Sequence, residues 1–457
     1  MTIVKRNSLF SFISVSTLEQ VGGRILPRGR FARNVAVLAG GTALAQGLTV
    51  LASPILTRLY KPEDFGILAV YASILSILLV VASWRYEMAI PLPEDEVIAA
   101  NLMALALLVL LGMSFATGVG VWLFSNDIML WPNASPLGVY LWLLPISLFG
   151  AGGYQILNYW AVRKGSFARI ARTKLNQSIG SIITQLSLGL LHFGPLGLLA
   201  GQMIGQASGT MTLAKLARRK DSEALKKISF SGIRWAANRY RRFPMITSGS
   251  AVLNSLGLQA PVLLLTAFYG PQVVGWFAFA QRVTSMPLNL VGQSLAQVYF
   301  GEAAQLARED PRRLRMRFLG ISRRLLLIGA GPVIFLGLAG EQLFSLIFGN
   351  QWQEAGLYVQ LMAVMFLAQF IATPLSQTFS ALERQDLGLA WSAGRLIAVV
   401  FSIFLAHWFQ LTLSWVIAIY ALAMFITYCI LFVMSLLAIS SHIRLSDHLV
   451  AKRGGRV

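Results

Sequence analysis

Apolar runs long enough to cross a bilayer recur twelve times along this chain, and no other feature limits its fold as severely. A hydrocarbon core about 30 Å thick is spanned by roughly 20 apolar residues in a helix, and only helices or closed barrels satisfy their backbone inside lipid. The runs fall at 35–57, 66–84, 99–124, 139–161, 175–191, 196–214, 245–269, 273–300, 325–348, 357–382, 388–406 and 414–438. They read as an all-α integral membrane protein with 12 transmembrane helices. Outside them lie an amino tail over 1–34, a basic segment over 215–244 and a carboxyl tail over 439–457, which leaves no room for a separate soluble domain. Ala43-Leu44-Ala45 imitates a signal-cleavage site, but the apolar run continues past it to Leu56, so the run is read as a span.

The net charge is +20, although only 12% of the residues are charged; soluble domains average about a quarter. In a soluble protein that balance would suggest nucleic acid. Here 34 of the 38 Lys and Arg fall in segments on one side of the twelve spans, Arg58 and Lys61 fall on the other, and Arg282 and Arg395 lie within spans. The positive-inside rule then places both termini in the cytoplasm. It also removes nucleic acid as a partner, and the basic segment 215–244 is expected to rest on anionic membrane lipids.

Catalytic chemistry has little to work with. Cys429 is the single cysteine, the four histidines show no metal-ligand spacing, and neither a P-loop nor a GxSxG elbow is present. The chain is read as a transporter with no metal or cofactor, not as an enzyme.

A short motif occurs twice. Tyr60, Pro62 and Gly66 follow the first run, and Tyr269, Pro271 and Gly275 follow the seventh, at identical spacing and an offset of 209 residues. Six spans per repeat is an even number, so both halves enter the membrane in the same orientation, as in transporters built from two lobes about a central cavity. The lobes are expected over 35–214 and 245–438, and a complete unit of this kind is expected to be a monomer.

Polar residues inside spans need a cavity or a partner, because an unsatisfied group in hydrocarbon costs several kcal/mol, roughly. At 100° per residue Arg282, Ser285, Asn289, Gln293 and Gln297 share one helix face about 120° wide. Hydrogen bonding between helices is one explanation, but an Arg at a helix centre costs about 2.5–3.5 kcal/mol, which a cavity for an anionic cargo would offset. Gln46, Gln155, Asn158, Asn254 and Arg395 add polar groups in other spans, each of which alone reads equally as a packing contact. Gly201, Gly205 and Gly209 form a small-residue helix face suited to a close helix contact. The first six spans contain no Asp or Glu and the last six only Glu341, so the lumen is read as cationic and neutral.

The run Ser53-Pro54 to Thr57-Arg58-Leu59-Tyr60 with Pro62-Glu63-Asp64-Phe65-Gly66 resembles the start of bacterial polysaccharide-biosynthesis transporters. These form the O-antigen flippase-like (Wzx-type) branch of the multidrug/oligosaccharidyl-lipid/polysaccharide exporter superfamily. Arg85-Tyr86-Glu87, Asn158-Tyr159-Trp160, Gln281-Arg282 with Pro287, and Trp352 with Ala355-Gly356 look like further blocks of the family. The resemblance covers most of residues 35–440 and implies two six-helix lobes around a central cavity. It also implies a flippase in the bacterial inner membrane that moves undecaprenyl-diphosphate-linked oligosaccharide for surface polysaccharide export. A polysaccharide polymerase and a chain-length regulator would be its functional neighbours, and an ion or the membrane potential its energy source.

On this reading Arg282 and Arg395 are expected to contact diphosphate or anionic sugar, and Asn289, Gln293, Asn254, Gln46 and Asn158 to face sugar. Arg58 is expected in gating or as an interfacial charge beside Glu63 and Asp64, and Arg85 with Glu87 as an ion pair or gate at the cytoplasmic mouth. A lipid II flippase would share the fold and the cationic lumen. A multidrug antiporter is disfavoured by the acid-free first six spans, and a membrane glycan polymerase by the short, nearly uncharged loops on the side opposite the termini.

Overall fold

The structure, a computed structural model, describes residues 30–129 and 135–454, so most of the expected amino tail lies outside the described residues. All regular structure among them is helical. Helices of 20 or more residues follow in the order α1 (Arg30–Leu59), α2 (Pro62–Val81), α3 (Glu96–Met129), α4 (Leu144–Arg163), α5 (Phe167–Leu190) and α6 (Pro195–Lys220). After two short helices come α7 (Ser248–Tyr269), α8 (Pro271–Glu309), α9 (Pro311–Phe348), α10 (Gln353–Leu375), α11 (Gln385–Trp408) and α12 (Leu413–Gly454). Among the described residues nine stretches are long and apolar enough to cross a membrane. The expected runs on α5, α6 and α8 are helical but not among those nine, and these helices carry Arg169, Arg172, Gln177, Gln206, Arg282 and Gln293. Leu51, Phe115, Leu338 and Leu346 stand exposed on the outer surface. Such a display suits lipid and would aggregate in water. This is a multi-pass membrane protein.

Several helices begin with proline at their first position, where no intrahelical N–H is needed and φ is already set. Pro62, Pro195, Pro271 and Pro311 all do this. Gly270, at φ 85°, turns the chain just ahead of Pro271. The segment 301–324, expected outside the spans, continues α8 and opens α9, and the tail beyond 439 continues α12. Arg- and Lys-rich sequence is good helix former, and the one break is Asp310, whose carboxylate accepts the Arg313 N–H at 3.1 Å and caps α9.

Helices α1 to α6 pack chiefly on one another, as do α7 to α12, while α2 crosses to α7 and α8. The glycine face of α6 lies on α5, with Gly201 and Gly205 against Gln185 and Ser181, so it serves a contact within the chain. Between the halves run short helices at Ser222–Lys226 and Phe230–Arg239. The second docks on α3: Ala236 is buried, and Asn101 Oδ1 accepts the Ser229 N–H at 3.1 Å. Its other face leaves Phe230, Arg234 and Trp235 exposed.

Candidate substrate cleft

The end of the molecule that carries Arg58 and Lys61 is poor in charge, and there the halves meet. Gly66 of α2 and Gly275 of α8 cross backbone to backbone: a Cβ on Gly66 would stand 1.7 Å from the Pro271 carbonyl oxygen, and one on Gly275 would stand 1.7 Å from that of Pro62. Beside the crossing, Phe65 packs edge-on to Phe279 and Trp352 with ring centroids 5.5 and 5.0 Å apart. Trp352 Nε1 donates to the Thr57 carbonyl at 3.0 Å, and Gln351 Nε2 donates to the same oxygen at 2.6 Å. Deeper along α2, Ser73 Oγ donates to Gln259 Oε1 of α7 at 2.9 Å. The motif repeated in sequence thus forms the seam between the halves. Its tyrosines diverge: Tyr60 donates to the Gln185 carbonyl at 2.6 Å, whereas the Tyr269 hydroxyl has no partner among the described residues.

Away from this seam α8 runs toward the basic end with a polar face. Arg282 is half-buried and makes no hydrogen bond or ion pair among the described residues, while the neighbouring Gln281 donates to the Tyr420 hydroxyl at 3.3 Å. Gln293 and Gln297, further along the same face, are exposed. The side chain of Asn289 lies outside the described residues. In the other half Gln46 Oε1 of α1, Asn158 Oδ1 and the Tyr154 hydroxyl of α4, and Gln206 Oε1 of α6 are buried without partners among the described residues. Each such atom costs about 1–3 kcal/mol if left unpaired, so these acceptors are suited to a polar cargo or to water. No hydrogen bond joins them to Arg282 among the described residues.

Two expected site residues are brought together. Arg395 of α11 is 4% exposed, and its Nη2 donates to the side-chain and main-chain oxygens of Asn254 on α7 at 3.0 and 3.2 Å. Its guanidinium lies 4.8 Å from the Trp391 ring centroid, while its buried Nε has no partner among the described residues.

The Arg85–Glu87 pair is less superficial than its place between spans suggests. Trp84 and Arg85 both adopt left-handed backbone, at φ 48° and 62°, which turns the segment back into the protein. Glu87 is fully buried; Ser83 Oγ donates to it at 2.5 Å and Gln155 Nε2 at 3.1 Å, with Arg85 Nη1 3.9 Å away. Burial pushes its carboxyl above the ordinary range against the pull of these donors. Arg163 at the end of α4 holds the turn by donating to the carbonyls of Pro93 and, at 2.9 Å, Glu94. The first half therefore encloses a carboxylate, although its spans are free of acids. Arg58 is exposed and makes no ion pair with Glu63 or Asp64 among the described residues; Asp64 instead accepts the Lys61 N–H at 2.9 Å.

Matched against known proteins, residues 55–357 fit the family described as polysaccharide biosynthesis protein, more than half of the chain. The chain belongs to that family. It is 27% identical over 368 residues to the succinoglycan biosynthesis transport protein ExoT of Rhizobium meliloti (strain 1021), covering 77% of this chain and 69% of that protein. Its fold is that of the multidrug/oligosaccharidyl-lipid/polysaccharide exporters. An inward-facing multidrug resistance transporter of that superfamily superposes with a TM-score of 0.73 at 15% identity, covering 90% of this chain and 99% of that one. The lipid II flippase MurJ in an inward closed conformation gives 0.66 at 13% identity, covering 88% and 89%.

Proposed function

We propose that this chain is a flippase that carries undecaprenyl-diphosphate-linked oligosaccharide across the bacterial inner membrane, from the cytoplasmic to the periplasmic leaflet. Twelve spans in two six-helix lobes, with both termini and the basic end in the cytoplasm, are the arrangement that the 34-to-2 distribution of Lys and Arg supports. The observation that carries the reading is Arg282: a guanidinium with no partner among the described residues, on a polar helix face that leads away from a sealed seam. A charge in that place is unstable without an anion, and a diphosphate supplies one.

Sugar hydroxyls exchange water for the amides of Gln46, Asn158 and Gln293, with Asn289 on the same face of α8, while the polyprenyl tail stays in lipid. Arg395, tied to Asn254 and buried, supports the cleft wall from within its lobe. Opening the Gly66–Gly275 seam while the basic end closes completes alternating access. Energy comes from an ion or from the membrane potential acting on the cationic cleft. The delivered units pass to a polysaccharide polymerase and its chain-length regulator, and the transporter works as a monomer.

Deletion of the gene, followed by analysis of the leaflet in which lipid-linked repeat units reside, tests the reading. Repeat units stranded in the cytoplasmic leaflet with loss of surface polymer are expected. Intact polymer with impaired peptidoglycan precursor export would favour a lipid II flippase, and unpolymerised units in the periplasm would favour a polymerase.

A further inference from the structure

At the basic ends of α5 and α6, away from the end of α5 that meets Tyr60 beside the seam, lies a second polar feature. A cavity of about 450 Å³ opens between their basic ends, lined by Arg169, Arg172 and Asn176 of α5 and by Thr212, Lys215 and Arg219 of α6. Each helix contributes at spacings of three and seven residues, so both turn one face to the same groove. No carboxylate lines it, and among the described residues none of its four cations makes an ion pair or hydrogen bond through its side chain. Each of the four is exposed.

A second cavity of about 210 Å³ shares Arg169 with the first and contains Asp221. That carboxylate is already held by Lys164 at 3.0 Å and by Trp160 Nε1 at 2.9 Å. The acid of the adjoining cavity therefore does not neutralise the groove. Cations are usually spread or paired on a protein surface, because like charges repel; four unpaired ones around a single cavity create a strong local preference for an anion.

What lies beyond the cations on the same two helices decides which anion. Toward the membrane interior the exposed residues are mainly apolar: Ile183 and Leu190 on α5, with Ser187 between them, and Ile204 and Met211 on α6. A ligand held here by its charge would have hydrocarbon surface immediately alongside it.

We infer that the α5–α6 groove binds the phosphodiester headgroup of an anionic phospholipid, with its acyl chains along Ile183, Ile204 and Met211, at a site separate from the transport cleft. Arg169, Arg172, Lys215 and Arg219 surround the phosphate, and the Asn176 amide donates to the headgroup. The bound lipid would fix the depth of the basic end of α5 and α6 in the leaflet.

The test uses the full-length chain in phosphatidylcholine bilayer discs, titrated with phosphatidylglycerol that carries a photoactivatable group near its headgroup, with adducts mapped by mass spectrometry. Saturable adducts on α5 and α6 are expected. Each cation near the surface contributes roughly 1 kcal/mol, so Arg172→Gln with Lys215→Gln should weaken the apparent affinity about tenfold or more. Arg172→Lys with Lys215→Arg should restore it, which separates charge from folding, and Arg315→Gln with Arg323→Gln on α9 should leave the adducts unchanged. Equal labelling by a phosphatidylcholine probe, or an unchanged affinity in the Gln variant, would overturn the site. Displacement of the lipid by inorganic diphosphate as readily as by unlabelled phosphatidylglycerol would overturn the lipid assignment in favour of a soluble anion.

Discussion

Gly66 and Gly275, 209 residues apart in sequence, occupy equivalent positions in two repeats and press against each other's repeat: each leaves no room for a Cβ because the other repeat's helix-initial proline carbonyl already fills the place. Close helix crossings in membranes are commonly built on small residues for this reason. Here the crossing joins α2 to α8, so anything that widens it separates the halves.

Gly66→Ala and Gly275→Ala should each bias the protein toward the state open at the charge-poor end. Thr57 is fully buried beneath Trp352 and Gln351, so Thr57→Cys in a background with Cys429→Ser reports the opening. A bias of about 1.4 kcal/mol gives tenfold faster labelling by a water-soluble maleimide. Labelling equal to that of the unsubstituted glycine background would show that the seam is not a gate.

Among the described residues Arg282 forms no bond that its loss would break, so Arg282→Gln should leave thermal stability in detergent nearly unchanged. Hydrogen bonds to charged groups contribute about 1.5–3 kcal/mol, which predicts a loss of roughly 10- to 100-fold in the initial rate of lipid-linked oligosaccharide transport into vesicles. Arg282→Lys should recover part of the rate, since it keeps the charge but not the fork of donors. A wild-type rate for the Gln variant would remove Arg282 from the cleft's function.

Helices were legible at all twelve runs, nine of them by length and apolarity alone, while the prolines at 62, 195, 271 and 311 start helices ahead of the apolar runs, by 14 residues at α9. The repeat was legible too, but not its use: nothing local says that Gly66 meets Gly275. Contacts between distant positions were hidden in the same way. Arg395 and Asn254 each read as a cavity group, yet 141 residues apart they find each other. Glu87 sits among polar and proline residues that look like an exposed loop, and its burial depends on two left-handed residues and on Arg163, more than 70 positions downstream. The ends of α8, α9 and α12 overran their expected limits because a hydropathy signal stops at the membrane and a helix need not.

Breaking the Arg395–Asn254 contact should cost stability before it costs transport. Asn254→Ala removes the side-chain acceptor and leaves a buried charged donor short of one bond, a loss of about 1.5–3 kcal/mol. A lowered apparent Tm in detergent is expected, and the same substitution in an Arg395→Met background should lower it much less, because the donor is gone. Additive shifts would mean that the two residues do not act as a pair.

Glu87 ties stability to pH, and the sign follows from its environment. Burial raises its carboxyl pKa above the ordinary 4.5 despite the Ser83, Arg85 and Gln155 contacts, so the folded state binds the proton more tightly than the unfolded chain does. Stability from this group is fully present below the ordinary carboxylate range and declines as pH rises through the raised native value. Thermal unfolding in detergent from about pH 4.5 upward should therefore show the wild-type chain losing stability relative to Glu87→Gln, whose amide is neutral throughout. Parallel pH profiles for the two proteins would show that Glu87 is ionised in both states and that its donors outweigh its burial.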